Sequence, residues 1–130
     1  MEQMIIPALR KGGYSFSKQV DIGKRPGGGR HKVDYVVSKQ DGNPILLSVK
    51  GQSTGGTAEQ KAAFEVISLI KALKNNNGKI AKAYVVLGGE GWKLRDFYVH
   101  GGLDEYLRDG ELVKIMTLES FVAVAQKGNL

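Results

Sequence analysis

An α/β fold, with a mixed central sheet flanked by helices, is what three features of this 130-residue sequence predict. Segments of helical periodicity alternate with short apolar runs, an Asp-Gly turn joins two of those runs into a hairpin, and no internal repeat or interdomain linker interrupts the order. The length suits one hydrophobic core and is short for two, so residues 1–130 are expected to form a single domain. A composition of 42% hydrophobic and 25% charged residues fits a folded chain. Cysteine is absent, which excludes disulfides, thiol chemistry and cysteine-based zinc sites. His31 and His100 are the only histidines, too few for a histidine-rich metal centre. No apolar run approaches the roughly 20 residues that cross a bilayer, and no secretory pattern opens the chain, so a cytoplasmic location without a membrane partner is expected. The net charge of +6 points to a polyanion, because a positive field concentrates phosphates.

In chain order, Met1 to Gly13 is expected to be a short helix. Met4, Ile5, Ala8 and Leu9 form its stripe, Pro7 weakens its first turn, and Gly12-Gly13 end it. Glu2 falls on the accessible surface, solvated or paired, or else near a catalytic centre. Tyr14 to Ile22 alternates imperfectly as a strand. Gly23 to Lys32, GKRPGGGRHK, holds four glycines and a proline and is expected to be a loop. Arg25 and Arg30 suit two-pronged contacts with phosphate oxygens, and Lys24 and Lys32 add less directional charge. The plainer alternative is an ordinary surface loop, and the Gly-Lys-Ser/Thr ending of a P-loop is missing.

Val33 to Gln52 is the stretch around which the rest is organised. Alternation predicts Val33, Tyr35 and Val37 on one face, with Asp34, Val36 and Ser38 on the other. In the second run Leu46, Ser48, Lys50 and Gln52 oppose Ile45, Leu47 and Val49. Asp41-Gly42 turns the chain between them, which brings Asp34 toward the Ser48 to Lys50 end. There Asp34 and Lys50 either form a salt bridge at a sheet edge or bind a cation and a phosphate.

Thr57 and Gln60 have the spacing of a capping box. The helix they open runs to Leu73 on an apolar face of Ala62, Ala63, Val66, Leu69, Ile70 and Leu73. Glu59 projects near the middle of that face at its N-terminal edge and Glu65 at its flank. Each has a simpler role as well: Glu59 favours the helix dipole, and Glu65 pairs with Lys61 one turn earlier. Lys79 to Leu87 reads as a buried strand, and Trp92 as a packing anchor rather than a base-stacking residue. Leu94 to Val99 is ambiguous between helix and strand, Leu103 to Leu107 is a short helix, and Glu111 to Met116 a strand. Thr117 caps a last helix that reaches Gln126 and docks through Phe121 and Val122.

Asp34, the triplet Ser48-Val49-Lys50 and helical Glu65 together resemble the PD-(D/E)xK nuclease superfamily. The closer likeness is to restriction-endonuclease-like variants whose second acidic residue has moved to the following helix. Ser48 stands where the family pattern has Asp or Glu, and Val33 where it has proline. The resemblance implies a restriction-endonuclease-like fold and a metal-dependent endonuclease, a homodimer cutting double-stranded or branched DNA in restriction or Holliday-junction processing. Asp34 and Glu65, with Glu59 in reserve, would hold Mg²⁺ or its substitute Mn²⁺. Lys50 and Gln52 would orient water or phosphate, and Ser48 would support them by hydrogen bonding. Lys24, Arg25, Arg30, Lys32 and Lys61 would contact DNA. The alternative is a noncatalytic basic nucleic-acid-binding module, which explains the charge and the glycine-rich loop; a scaffold protein is third.

Overall fold

The structure, a computed structural model, describes residues 1–51, 57–76 and 78–130. Its elements are α1 (Glu2–Lys11), β1 (Ser15–Lys24), β2 (Arg30–Ser38), β3 (Ile45–Gly51), α2 (Ala58–Lys74), β4 (Lys82–Gly88), α3 (Arg95–Val99), β5 (Val113–Thr117) and α4 (Leu118–Gln126). Two short 3-10 turns, Gly102–Glu105 and Gly110–Leu112, lie between α3 and β5. The strands form one sheet in sequence order. β1, β2 and β3 pair antiparallel, whereas β3, β4 and β5 pair parallel. This is the expected mixed sheet with helices on both faces. No helix among the described residues is long and apolar enough to cross a membrane.

Alternation along the central strands builds two cores. Leu47, Tyr84 and Val86 face α1 and α4, where Ile5, Leu9 and Phe121 are buried. Leu46, Val85 and Leu87 face α2 and α3, against Val66, Leu69 and Tyr98. β4 is apolar on both sides because both sides are covered. At Gly12 the requirement is space: its backbone angles suit any residue, but a Cβ there would stand 1.9 Å from the carbonyl oxygen of Ala125 in α4. Trp92 is buried, and its Nε1–H donates to the Gly88 carbonyl at 2.9 Å, which makes it the packing anchor expected.

Several local expectations need correction. Half of the basic segment is strand: β1 runs through Lys24 and β2 begins at Arg30. Only residues 25–29 turn, closed by the Arg25 N–H on the Gly29 carbonyl at 2.7 Å, with Gly27 and Gly28 at φ 90° and 100°. Antiparallel pairing satisfies this backbone despite its glycines. Thr57 precedes α2 but its side chain makes no capping bond, whereas Thr117 Oγ1 accepts from the Ser120 N–H at 3.2 Å. Met4 is exposed, not part of the buried stripe of α1. Asp41, at φ 66°, takes the left-handed position in the expected turn, which the Gly42 N–H closes on Lys39 at 2.9 Å.

The face assignment of β2 also changes partway along. Tyr35 and Val37 belong to the α1/α4 core, but Val33 belongs to the α2 core. β1 switches at the same level: Phe16 packs with Tyr35, while Val20 and Ile22 pack beneath α2. Between the Lys18–Tyr35 and Val20–Val33 pairs, the rung of Gln19 opposite Asp34 is not made, and Gln19 has φ 52°. In β1 the left-handed Gln19 breaks the two-residue alternation, and β2 changes face beside it, so the outer hairpin presents its other face to α2.

Candidate nucleic-acid interface

The face reversal carries the outer hairpin over the first turns of α2, and a buried polar cluster forms where they meet. Glu65 is 1% exposed and lies beneath β2 and β3. Its Oε2 accepts from Ser48 Oγ at 2.5 Å and faces His31 Nε2 at 2.9 Å. Its Oε1 accepts from Arg25 Nη1 of the hairpin turn. Both carboxylate oxygens are thus engaged, and the buried charge has the partners that such a charge requires. Lys61, the partner expected one helical turn away, is exposed.

Burial pushes the Glu65 carboxyl up, but hydrogen bonds from His31, Ser48 and Arg25 and the attraction of His31 outweigh it and hold the group at about 2, against an ordinary 4.5. A depressed carboxylate stabilises the fold fully above its unfolded value and loses that contribution as pH falls through the folded value. At about 1.4 kcal/mol per pKa unit, the contribution is about 3 kcal/mol, lost between pH 4.5 and about 2. Urea denaturation across that window should show a shallower decline in stability for Glu65→Gln than for the wild type. Parallel curves for the two chains would remove Glu65 from the acid response.

Outward from Glu65 opens a groove of about 450 Å³. Arg25 from the hairpin, Lys50 from β3 and Lys61 from α2 bring three cations to its wall. Thr57, Gln60 and Phe64 of the α2 end complete the described lining. Glu65 is the one carboxylate among these residues, and its charge is already matched by the Arg25 guanidinium. Lys24, Arg30 and Lys32 are exposed on the adjoining hairpin. Arg30 is committed to Asp21, with Nε and Nη2 at 2.9 and 2.5 Å from Oδ2. Lys71 of α2 donates to the Lys24 carbonyl at 2.7 Å, which ties the hairpin to the helix.

The remaining sequence-derived candidates lie elsewhere. The β2–β3 ladder stops at Tyr35–Leu47, and Asp34 Oδ2 accepts the next free donor, the Val49 N–H, at 2.6 Å. Gln19 Nε2 donates to Asp34 Oδ1 at 3.4 Å. Asp34 lines a separate hollow of about 320 Å³ with Glu2, Lys18 and Ile5 on the α1 side, and Glu2 pairs there with Lys18. Ser48 and Val49 are consecutive on β3 and point oppositely, so Glu65 is reached from one face of the sheet and the Asp34 hollow from the other. Glu59 is turned to the α3 end, where it accepts the Leu94 N–H at 2.8 Å. Gln52 lies outside the described residues. The sequence therefore brings Lys50 near Glu65 and Asp34 near Glu2, but not the two proposed metal ligands together. His31 and Phe64 were missed as site residues. The signal for Phe64 was its position off the apolar stripe of α2; for His31 no local signal exists, because its partner is 34 residues away.

A family model described as a PD-(D/E)XK nuclease superfamily domain matches residues 1–129, and no curated protein matches the chain. Among solved structures, an XisH family protein from Nostoc punctiforme PCC 73102 is 20% identical with a TM-score of 0.57. An fdxN element excision controlling factor protein from Anabaena variabilis is 19% identical with the same TM-score. Each comparison covers 92% of this chain and 91% of the other. Both likenesses are of fold, and neither protein is named as a nuclease. Among the described residues, no three His, Cys, Asp or Glu side chains gather where a metal ion could be held. The donor oxygens of Asp34 and Glu65 are also spent on protein partners. These findings overturn the expected Mg²⁺- or Mn²⁺-dependent endonuclease, and with it the restriction and junction-resolving roles and the assignment of Asp34 and Glu65 as metal ligands.

Proposed function

The chain belongs to the PD-(D/E)XK nuclease superfamily, and we propose that it uses this scaffold as a noncatalytic module that binds nucleic acid through the basic groove. The observation that carries the proposal is the convergence of Arg25, Lys50 and Lys61 from three separate elements on one groove, where Arg25 matches the one carboxylate of the described lining and the two lysines stand in excess. Such a wall attracts a phosphodiester backbone and releases its counterions. The exposed Lys24 and Lys32 extend the positive surface along the hairpin, in keeping with the net charge of +6. One structural relative is named for control of excision of the fdxN element, which favours DNA as the first polyanion to test.

Fluorescence anisotropy with labelled duplex and single-stranded DNA in EDTA tests this directly. Lys50→Ala and Lys61→Ala should each lower the slope of log affinity against log salt by about 1. Arg30→Ala should change it less, since Asp21 already offsets that charge. The stoichiometry of the same titration reports whether a homodimer binds. No binding at low salt, or a slope indifferent to both lysines, refutes the proposal.

A further inference from the structure

We infer that the groove seats an unpaired nucleotide, with the Phe64 ring stacking on the base and the surrounding cations holding the flanking phosphates. The inference rests on the nucleic-acid proposal and narrows its substrate class. Phe64 is 44% exposed, as is Ile67 one turn later at 38%, but Phe64 alone of the two lines the groove and is the one aromatic residue in its described lining. A duplex presents base edges and backbone, so a phenyl face reaches a base only where the base is unstacked. The chemistry around the ring matches such a guest. Gln60 and Lys61 stand one helical turn before Phe64 on α2, and Lys50 of β3 and Arg25 of the hairpin line the same groove. Gln60 and Thr57 offer hydrogen-bonding groups suited to a base edge, while the cations suit phosphate. The volume of about 450 Å³ lies in the range of sites that enclose one small organic group.

The α2 position also explains why the aromatic group stays open. Glu65, its neighbour, turns into the protein to meet His31 and Ser48, and Phe64 lies about 100° back around the helix, on the side away from the buried Ala62, Val66 and Leu69. Arg25 is held at the groove wall by Glu65 rather than free to fold over the ring. The ring therefore shares the groove with a guanidinium tied to Glu65 and two lysines.

The test compares Phe64→Leu and Phe64→Tyr with the wild type on single-stranded oligonucleotides, on duplexes and on an oligonucleotide carrying 2-aminopurine. Phe64→Leu should weaken single-strand binding about tenfold, leave duplex binding within about twofold, and abolish quenching of the 2-aminopurine emission; Phe64→Tyr should retain all three properties. Failure of the wild type to bind any oligonucleotide overturns both this inference and the broader proposal. Wild-type binding that Phe64→Leu leaves unchanged, with no quenching, overturns the stacked nucleotide alone. A wild-type dimer that Phe64→Leu converts to a monomer, with oligonucleotide affinity unaltered, assigns the groove to a second copy and also overturns it.

Discussion

Glu65→Ala is expected to lower the unfolding free energy by about 3–5 kcal/mol, the range for removing one partner from a buried ion pair. The variant loses an acceptor that Arg25, His31 and Ser48 share, and it leaves three polar groups facing a space without a carboxylate. Urea denaturation at neutral pH measures the loss. A change below about 1 kcal/mol, the size of an exposed pair, would show that the cluster contributes little to the fold. Glu65→Gln keeps the volume but turns an amide N–H₂ toward donors, so it should fall between the wild type and alanine. It also leaves the Arg25 charge unmatched in the groove, so the folded fraction should bind DNA at least as tightly as the wild type. A side chain needed to bind DNA would behave in the opposite way.

Phe121→Ala should destabilise by a similar amount, about 3–5 kcal/mol, the range for truncating a buried phenyl group. Phe121 is fully buried in the core beneath α1 and α4. Its ring meets Tyr84 edge to face, with centroids 5.9 Å apart and planes at 68°. Alanine leaves a hole and removes that aromatic contact. Because this core lies on the face of the sheet opposite the groove, the folded variant should keep its nucleic-acid affinity and salt slope. Loss of binding at a denaturant-free concentration where the chain remains folded would indicate coupling between the two faces that the architecture does not suggest.

Elements with a strong local cause were legible before the structure. The Asp41-Gly42 turn, the Thr117 cap and the buried stripe of α2 each depend on residues within a few positions of one another. The mixed sheet followed from their order. The site was harder to see because its contacts join distant segments. Periodicity places Glu65 at the flank of the apolar face of α2, but its partners Arg25 and His31 are 40 and 34 residues away, and periodicity carries no information about such pairs. The resemblance to nucleases named the scaffold correctly and the chemistry incorrectly. Ser48, standing where an acidic residue was expected, was the warning: its hydroxyl donates to Glu65 and adds no negative charge for a cation. The strand-face assignment failed for another reason. Alternation holds only while successive residues stay extended, and the left-handed backbone of Gln19 is not announced by a glycine.

The change of face along β2 has a mechanical consequence. Since the inner part of β2 is embedded beneath α1 and α4 while its outer part is embedded beneath α2, one continuous strand threads both hydrophobic layers like a stitch through two sheets of cloth. Neither layer can peel away without tugging on the other.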